Sequence, residues 1–501
     1  MSTRVVELLA IDDTPIEYID EIIGSGGSKD VYYSPDKSYV VAFFRKTPDA
    51  NARARLERIV GLYRENIFGQ EFGDYWKRFF CWPTNIVYHE GRLGVVSPTY
   101  DPEFFFKIGS KENDRARLRG KEKNGKWFAS AKHQNTILAR AERGDWYNYF
   151  QVCLCISRAV RRLHAAGLAH SDLSFNNVLV APTYGRACII DIDGLVVPGK
   201  FFPEVIGTKE FIAPEVYQTK DLPKDDPRRC LPNIRTDRFA LAVLVYFYLL
   251  NRDPFDGQKV FDLEDDVRDE TLRRGEKALF VENPDDRSNA VRVSDLDLKQ
   301  LPQGDPTQRP YTLCGPYLKK LFDRTFIAGL HHPDLRPTAQ EWEDEIVKTV
   351  DLLHPCPNLD CSHKWFILDD LQKKRCPFCG EEVRTTVPVL DLYYRHTNGE
   401  YTSEEHWVVV YDGRPLYPWH LLRNIAPNER LPLKERKRVA FFRQQGEKWL
   451  LVNERIADLR DLDTGDSIPL GAVVELRQGQ RLLFSEQQEG RMGIVHWGDP
   501  T

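Results

Sequence analysis

The sequence predicts an α+β protein: strands open the chain, helices fill its middle, and an all-β block closes it behind a short cysteine-rich segment. Three observations carry this reading. Residues 17–46 alternate between apolar and polar in short runs, the period of strands. Phe239 to Leu250 is an unbroken apolar run between Arg238 and Asn251, too short to span a bilayer and suited to a buried core helix. Beyond residue 387 the apolar runs are short and bounded by Gly and Asp, as strands joined by turns.

At 501 residues the chain has room for roughly three domains of about 150 residues. Its 42% hydrophobic content is enough for packed cores. A net charge of −5 argues against a dominant nucleic-acid or membrane role. No charged n-region followed by an apolar h-region opens the chain, so a secretory signal is not expected. Of the ten cysteines, Cys81, Cys153, Cys155, Cys188, Cys230 and Cys314 are scattered and read as buried thiols of a cytoplasmic protein. The other four crowd between positions 356 and 379 and need their own explanation.

EYIDEIIGSGG followed by DVYYSPDKSYVVAFFRK reads as three antiparallel strands, with Ser34-Pro35-Asp36 at the second turn. Between the first two strands lies Gly24-Ser25-Gly26-Gly27-Ser28-Lys29-Asp30-Val31. It resembles the glycine-rich loop of protein kinases, G-x-G-x-x-G-x-V, whose backbone N–H groups approach nucleotide phosphates because no Cβ intervenes. The resemblance implies a phosphate cover at Gly24, Gly26 and Gly27, with Val31 and Ala42 beside the nucleotide. Two departures matter. The third glycine place is Lys29, and the lysine expected two residues after Ala42 is Phe44. With-no-lysine kinases show a similar exchange, which implies that Lys29 supplies the phosphate cation. Strand alternation puts Lys46 on one face with Ala42 and Phe44, so Lys46 is the alternative.

From Asp49 to Phe68, Leu56, Ile59, Val60, Tyr63 and Ile67 recur at helical spacing, with Asp49 as N-cap. By the same resemblance this helix offers a glutamate to the phosphate lysine, either Glu57 or Glu65. NIVYHEGRLGVVSPTYDPEF reads as a hairpin leading to a chain crossing near Val96 to Tyr100, the expected hinge beside adenine. Residues 107–145, rich in Lys and Arg, read as a solvated insertion and a candidate docking surface.

HSDLSFNN, residues 170–177, resembles the kinase catalytic loop, H-R-D-L-x-x-x-N. The resemblance implies that Asp172 takes or orients the proton of the acceptor hydroxyl and that Asn177 binds magnesium. NVLVAPTYGRACIIDIDG then reads as a tight hairpin closing on Asp191-Ile192-Asp193-Gly194, where the family's D-F-G carboxylate binds the metal. Spacing from Gly185 favours Asp191 and the adjacent Gly194 favours Asp193. With strand alternation, both face one cleft, where two close carboxylates are tolerable if cations lie between them. GTKEFIAPE, residues 207–215, resembles the end of an activation segment. Downstream, Asp237 is expected to brace the catalytic loop and Arg336 to pair with Glu215. Ser171 and Ser174 replace two cations common in the family, so activation by loop phosphorylation is not expected and phosphate affinity should be lower. Residues 255–316 read as a charged insertion.

Cys356, Cys361, Cys376 and Cys379 form two knuckles that resemble a zinc ribbon, in which four thiolates hold a structural Zn²⁺; His354 and His363 lie nearby. The closing strands read as a β-sandwich or barrel whose last half faintly resembles a forkhead-associated domain; Arg414 and His420 echo its phosphate-binding residues at too short a spacing, and a non-binding, degenerate β module is the expected reading.

The predicted architecture is therefore a bilobal protein kinase-like fold, with an N-lobe at 1–102 and a C-lobe at 103–350. A zinc ribbon at 351–386 and a small β-sandwich-like domain at 387–501 follow. This order is similar to bacterial kinases of the TerY-phosphorylation triad. The similarity implies a Ser/Thr protein kinase using ATP and Mg²⁺ or Mn²⁺, a protein substrate, and as partners a von Willebrand A domain protein and a metal-dependent protein phosphatase. The alternative is a pseudokinase scaffold that binds nucleotide and partners without turnover, with a C-terminal phosphopeptide- or protein-binding module.

Overall fold

Alternating burial lays down the first strands of this computed structural model, which describes residues 4–25, 29–197, 200–201, 206–223 and 226–497. Strands β1 (Val5–Leu9) and β2 (Pro15–Ile19) pair antiparallel, Val5 opposite Ile19. Strands β3 (Gly24–Ser25), β4 (Lys29–Tyr33), β5 (Tyr39–Phe44), β6 (Asn85–His89) and β7 (Arg92–Pro98) form an antiparallel sheet in the order β3-β4-β5-β7-β6. The first of the three strands expected over 17–46 is thus divided between two sheets, and the additional strand β1 takes β2 as its partner. The polar Asp20 and Glu21 mark the break between β2 and β3.

Within β5 the two faces part company. Val41 and Phe43 join Val6, Ile16, Tyr18, Tyr32, Val87 and Val96 in one core. Ala42 and Phe44 pack on the other side with Leu56, Ile86, Leu93 and Val95. Leu56 belongs to a helix running as Ala50–Arg58, a wider π turn at Ile59–Tyr63, and Arg64–Phe68. Its N-cap is Asp49, whose side chain accepts the Ala52 N–H at 2.8 Å.

The chain divides into two compact units: residues 1–144, 148–311 and 320–343 in the first; 145–147, 312–319 and 344–501 in the second. In the first, helix Ile234–Leu250 is buried almost throughout. Its N-cap is Asn233, and Asp237 in the first turn accepts the His170 N–H at 2.7 Å, the brace expected of it. Strands β8 (Val178–Ala181) and β9 (Arg186–Ile189) form the expected hairpin, with Gly185 at φ +59° in its turn.

Residues 107–145 are not merely a solvated insertion. They bury Leu118, Phe128, Ala131 and Leu138, and turn Lys123, 1% exposed, onto Glu142 at 2.8 Å. The other oxygen of Glu142 accepts the N–H groups of Lys107, Ile108 and Gly109. Residues 255–316 likewise bury Phe255, Phe280 and Val281, and Glu282 pairs with Arg252 at 2.6 Å. Composition counts charges but does not show which of them are paired inward.

In the second unit, Leu353–Pro355 pairs with Trp365–Ile367 at the cysteine knuckles. Two antiparallel sheets follow, one of five strands and one of four. Leu390, Val408, Leu482 and Val495 of the first and Phe442 and Leu451 of the second share one core. Arg414 and His420 turn inward. They are 5% and 1% exposed and both engage Asp351, which also accepts from His406 Nε2 at 2.7 Å. Burial alone would raise the Asp351 carboxyl, but His420, His406 and Arg414 hold it well below the usual range. A buried carboxylate thus takes both side chains that echo the forkhead-associated phosphate-binding residues. Among the described residues, no helix is long and apolar enough to cross a membrane.

Candidate active site

Cross-strand register places the first cation. Lys29 lies opposite Phe44 and Val31 opposite Ala42. The Lys29 ammonium sits over the Phe44 ring, 4.9 Å from its centroid, so a cation reaches the place the sequence leaves empty at position 44. Lys29 Nζ approaches Asp193 at 2.5 Å and Asp191 at 3.5 Å. Strand alternation is not what brings these carboxylates together, because β9 ends at Ile189. Asp191 takes a left-handed conformation, φ +60°, and Ile192–Gly194 form a 3₁₀ turn, which folds both side chains back toward one amine.

The electrostatics separate the pair. Desolvation would raise Asp193, but the Lys29 ammonium holds it below its ordinary value. Asp191, with 54% of its side chain exposed at the cleft mouth, is pushed up by desolvation against the cleft walls and by the charge of Asp193. Burial would lower Lys29, yet the two carboxylates raise it, so the ammonium form is favoured.

The catalytic-loop residues lie on the same cleft. Ser171 is left-handed at φ +65°. Asp172 Oδ1 accepts the Thr208 N–H at 2.6 Å, and Asn177 Nδ2 donates to Asp172 Oδ2 at 2.9 Å and to Asp172 O at 2.8 Å. The Thr208 hydroxyl donates to Ser174 Oγ at 3.1 Å. Arg336 and Glu215 form a two-pronged pair, 2.8 Å at each prong, as expected.

Two cavities meet at Lys29, Asp191 and Asp193, which line both. One, of about 240 Å³, has Gly24, Val31, Ala42, Val95 and Tyr100 in its walls. The other, of about 770 Å³, takes in Asp172, His170, Lys46 and Arg55. Lys46 is exposed at its rim. Gly26 and Gly27 lie outside the described residues. Neither Glu57 nor Glu65 lines either cavity, and Glu57 instead accepts from Arg53 at 3.0 Å on the surface. The helix turns Ala52, Arg55 and Leu56 inward. Arg55 is a cleft residue that sequence reasoning missed, and Thr208 adds a backbone donor to Asp172. Arg55 shares the i, i+3 spacing of Ala52, and Thr208 sits inside the GTKEFIAPE motif.

The Sγ atoms of Cys356, Cys361, Cys376 and Cys379 all lie within 4.8 Å of one another, with Cys356 and Cys379 at 3.4 Å and Cys361 and Cys376 at 4.0 Å. Four sulfurs at about 2.3 Å around one zinc ion stand about 3.8 Å apart, so this donor set fits Zn²⁺. Both histidines turn elsewhere: His354 Nδ1 lies 2.7 Å from Pro355 O, and His363 stacks on Phe378 at 3.8 Å.

Residues 129–322 match the family model of the protein kinase domain. The death-associated protein kinase dapk-1 of Caenorhabditis elegans is 34% identical over 118 residues, 23% of this chain and 7% of that protein. The probable serine/threonine-protein kinase RTK1 of Saccharomyces cerevisiae is 26% identical over 181 residues, 34% of this chain and 25% of the relative. The serine/threonine-protein kinase RAD53 of the same yeast is 28% identical over 108 residues, 20% and 13% of the two chains. The chain thus spans a quarter or less of the length of these relatives. A rhoptry kinase from Toxoplasma gondii superposes with a TM-score of 0.42 at 12% identity, covering 69% of this chain and 83% of that one. The family match contains Asp172, Asn177, Asp191, Asp193 and Glu215, so the span that holds these residues is similar to the protein kinase domain.

Proposed function

We propose that the protein is a protein kinase that transfers the γ-phosphate of ATP to Ser or Thr of a protein substrate. The observation that carries this reading is the convergence on one cleft of Lys29, Asp172, Asp191 and Asp193, with Asn177 bonded to Asp172. The apolar walls at Val31, Ala42 and Tyr100 take the adenine, and Lys29 neutralises the α and β phosphates. Asp172 accepts the proton as the acceptor hydroxyl oxygen bonds to the γ-phosphorus and the bond to the bridging oxygen of ADP breaks. Asn177 with Asp193 or Asp191 would hold Mg²⁺ or Mn²⁺, which supplies further neutralisation of phosphate charge.

The assay is transfer of labelled γ-phosphate to a generic acceptor and to the protein itself. Lys29→Met is expected to reduce turnover by about 10²–10³-fold and Lys46→Met by less than about threefold. Equal losses, or unchanged turnover in Lys29→Met, would remove Lys29 from the phosphate-binding role.

The proposed boundaries are 1–102 and 103–350 for the kinase lobes, 351–386 for the zinc ribbon and 387–501 for the β module. The sulfur spacing supports a structural Zn²⁺. Purified protein should contain one zinc per chain by elemental analysis, and Cys376→Ser should lose it together with cooperative unfolding of the second unit. Full zinc retention in that variant would rule out the four-cysteine site. The domain order supports the likeness to kinases of the TerY-phosphorylation triad, with a von Willebrand A domain protein and a phosphatase as partners. A second reading, a nucleotide-binding scaffold without turnover, is favoured by Phe44 in place of the strand lysine.

A further inference from the structure

This chain gives up two cations that surround the phosphates in similar kinases: Phe44 stands at one place and Ser174 at the other. Lys29 reaches the first. The second has no replacement in the catalytic loop, where Ser174 is itself buried and bonded to Thr208. Lys29 and a metal ion held by Asn177 with Asp193 or Asp191 would offset the carboxylates of this cleft, and a further cation facing the terminal phosphate would add to the stabilisation of its spreading charge.

The helix following β5 supplies one. Arg55 is 7% exposed, on the face that also buries Ala52 and Leu56, and it lines the cavity of about 770 Å³ together with Lys29, Asp172, Asp191 and Asp193. Arg45 and Lys46 line the same cavity from exposed positions, whereas Arg55 reaches it from the buried face of its helix. A guanidinium on this face presents a planar fork suited to two phosphate oxygens. Resting on the kinase reading above, we infer that Arg55 binds the terminal phosphate of the nucleotide and stabilises the charge that spreads over it during transfer. It takes the part that the missing lysine at position 174 would play.

The inference makes a demand on binding that does not depend on turnover: Arg55 distinguishes ATP from ADP. Dissociation constants of both nucleotides are to be measured with Mg²⁺ for the full chain, Arg55→Met and Arg55→Lys. The wild type should prefer ATP over ADP by about 10–100-fold. Arg55→Met should abolish that preference while ADP affinity stays within about twofold, and Arg55→Lys should keep part of it. Thermal unfolding of each variant accompanies the titrations. If Arg55→Met fails to fold, Arg55→Lys decides, because it keeps the charge and loses the fork. An ATP preference equal to the wild type in the variant that folds overturns the role of Arg55. Wild-type protein that binds neither nucleotide overturns the kinase reading and this inference with it.

Discussion

Asp172→Asn is expected to lower γ-phosphate transfer by about 10²–10⁴-fold, the range for loss of a positioned general base, with ATP affinity changed by less than about twofold. The substitution is nearly isosteric, and the local bonds show what it removes. In the wild type, one carboxylate oxygen accepts the Thr208 N–H at 2.6 Å and the other the Asn177 amide at 2.9 Å. An asparagine can keep its oxygen toward Thr208. Its NH₂ then faces the donor of Asn177, which retains its bond to the backbone oxygen of residue 172 at 2.8 Å. The loop is therefore held while the proton acceptor is lost. Labelled ATP should phosphorylate a generic acceptor, or the protein itself, with wild type and not with the variant. Equal incorporation by both would remove Asp172 from the base role. ATP binding without label in either, once cognate acceptors have been supplied, would favour the scaffold reading.

What could be read in the sequence follows from how local the signals are. HSDLSFNN, IIDIDG and GTKEFIAPE are short, so the loop, hairpin and segment end that they predict need only neighbouring residues to form. The antiparallel register of β4 and β5 was also legible, because Ser34-Pro35-Asp36 fixes the turn. Other features depend on distant partners. Asp191 and Asp193 meet through a left-handed residue and a 3₁₀ turn, which no alternation pattern encodes. Glu57 and Arg55 are two residues apart on one helix, and only the sheet packed against it decides that Arg55 turns inward. Lys123, Glu142 and Arg414 look like surface charges until their partners are known. A charge pattern along the chain carries no record of which charges fold together.

The Arg336–Glu215 pair converts that last point into the largest expected loss of stability. Arg336→Met should destabilise the first unit by about 3–5 kcal/mol, as breaking a buried pair does. The Arg336 side chain is 0% exposed, and besides Glu215 its guanidinium donates to the carbonyls of Gly329 at 2.8 Å, Leu330 at 3.0 Å and Arg235 at 3.2 Å. Removing it strands three acceptors and a carboxylate whose side chain is only 23% exposed. The surface pair Arg53–Glu57, about half exposed at each end, gives the contrast: Arg53→Met should leave the unfolding midpoint almost unchanged. The loss at Arg336 should also reach the catalytic loop. Arg235 opens the helix whose Asp237 holds the His170 N–H, two residues before Asp172. Urea denaturation followed through the first unfolding transition measures both variants, and amide exchange at residues 168–174 reports the loop. A midpoint shift for Arg336→Met no larger than that for Arg53→Met would show that the buried pair does not brace this unit. The double variant Glu215→Gln, Arg336→Met should cost less than the sum of its single changes, because each single change leaves the other partner buried without its counter-charge.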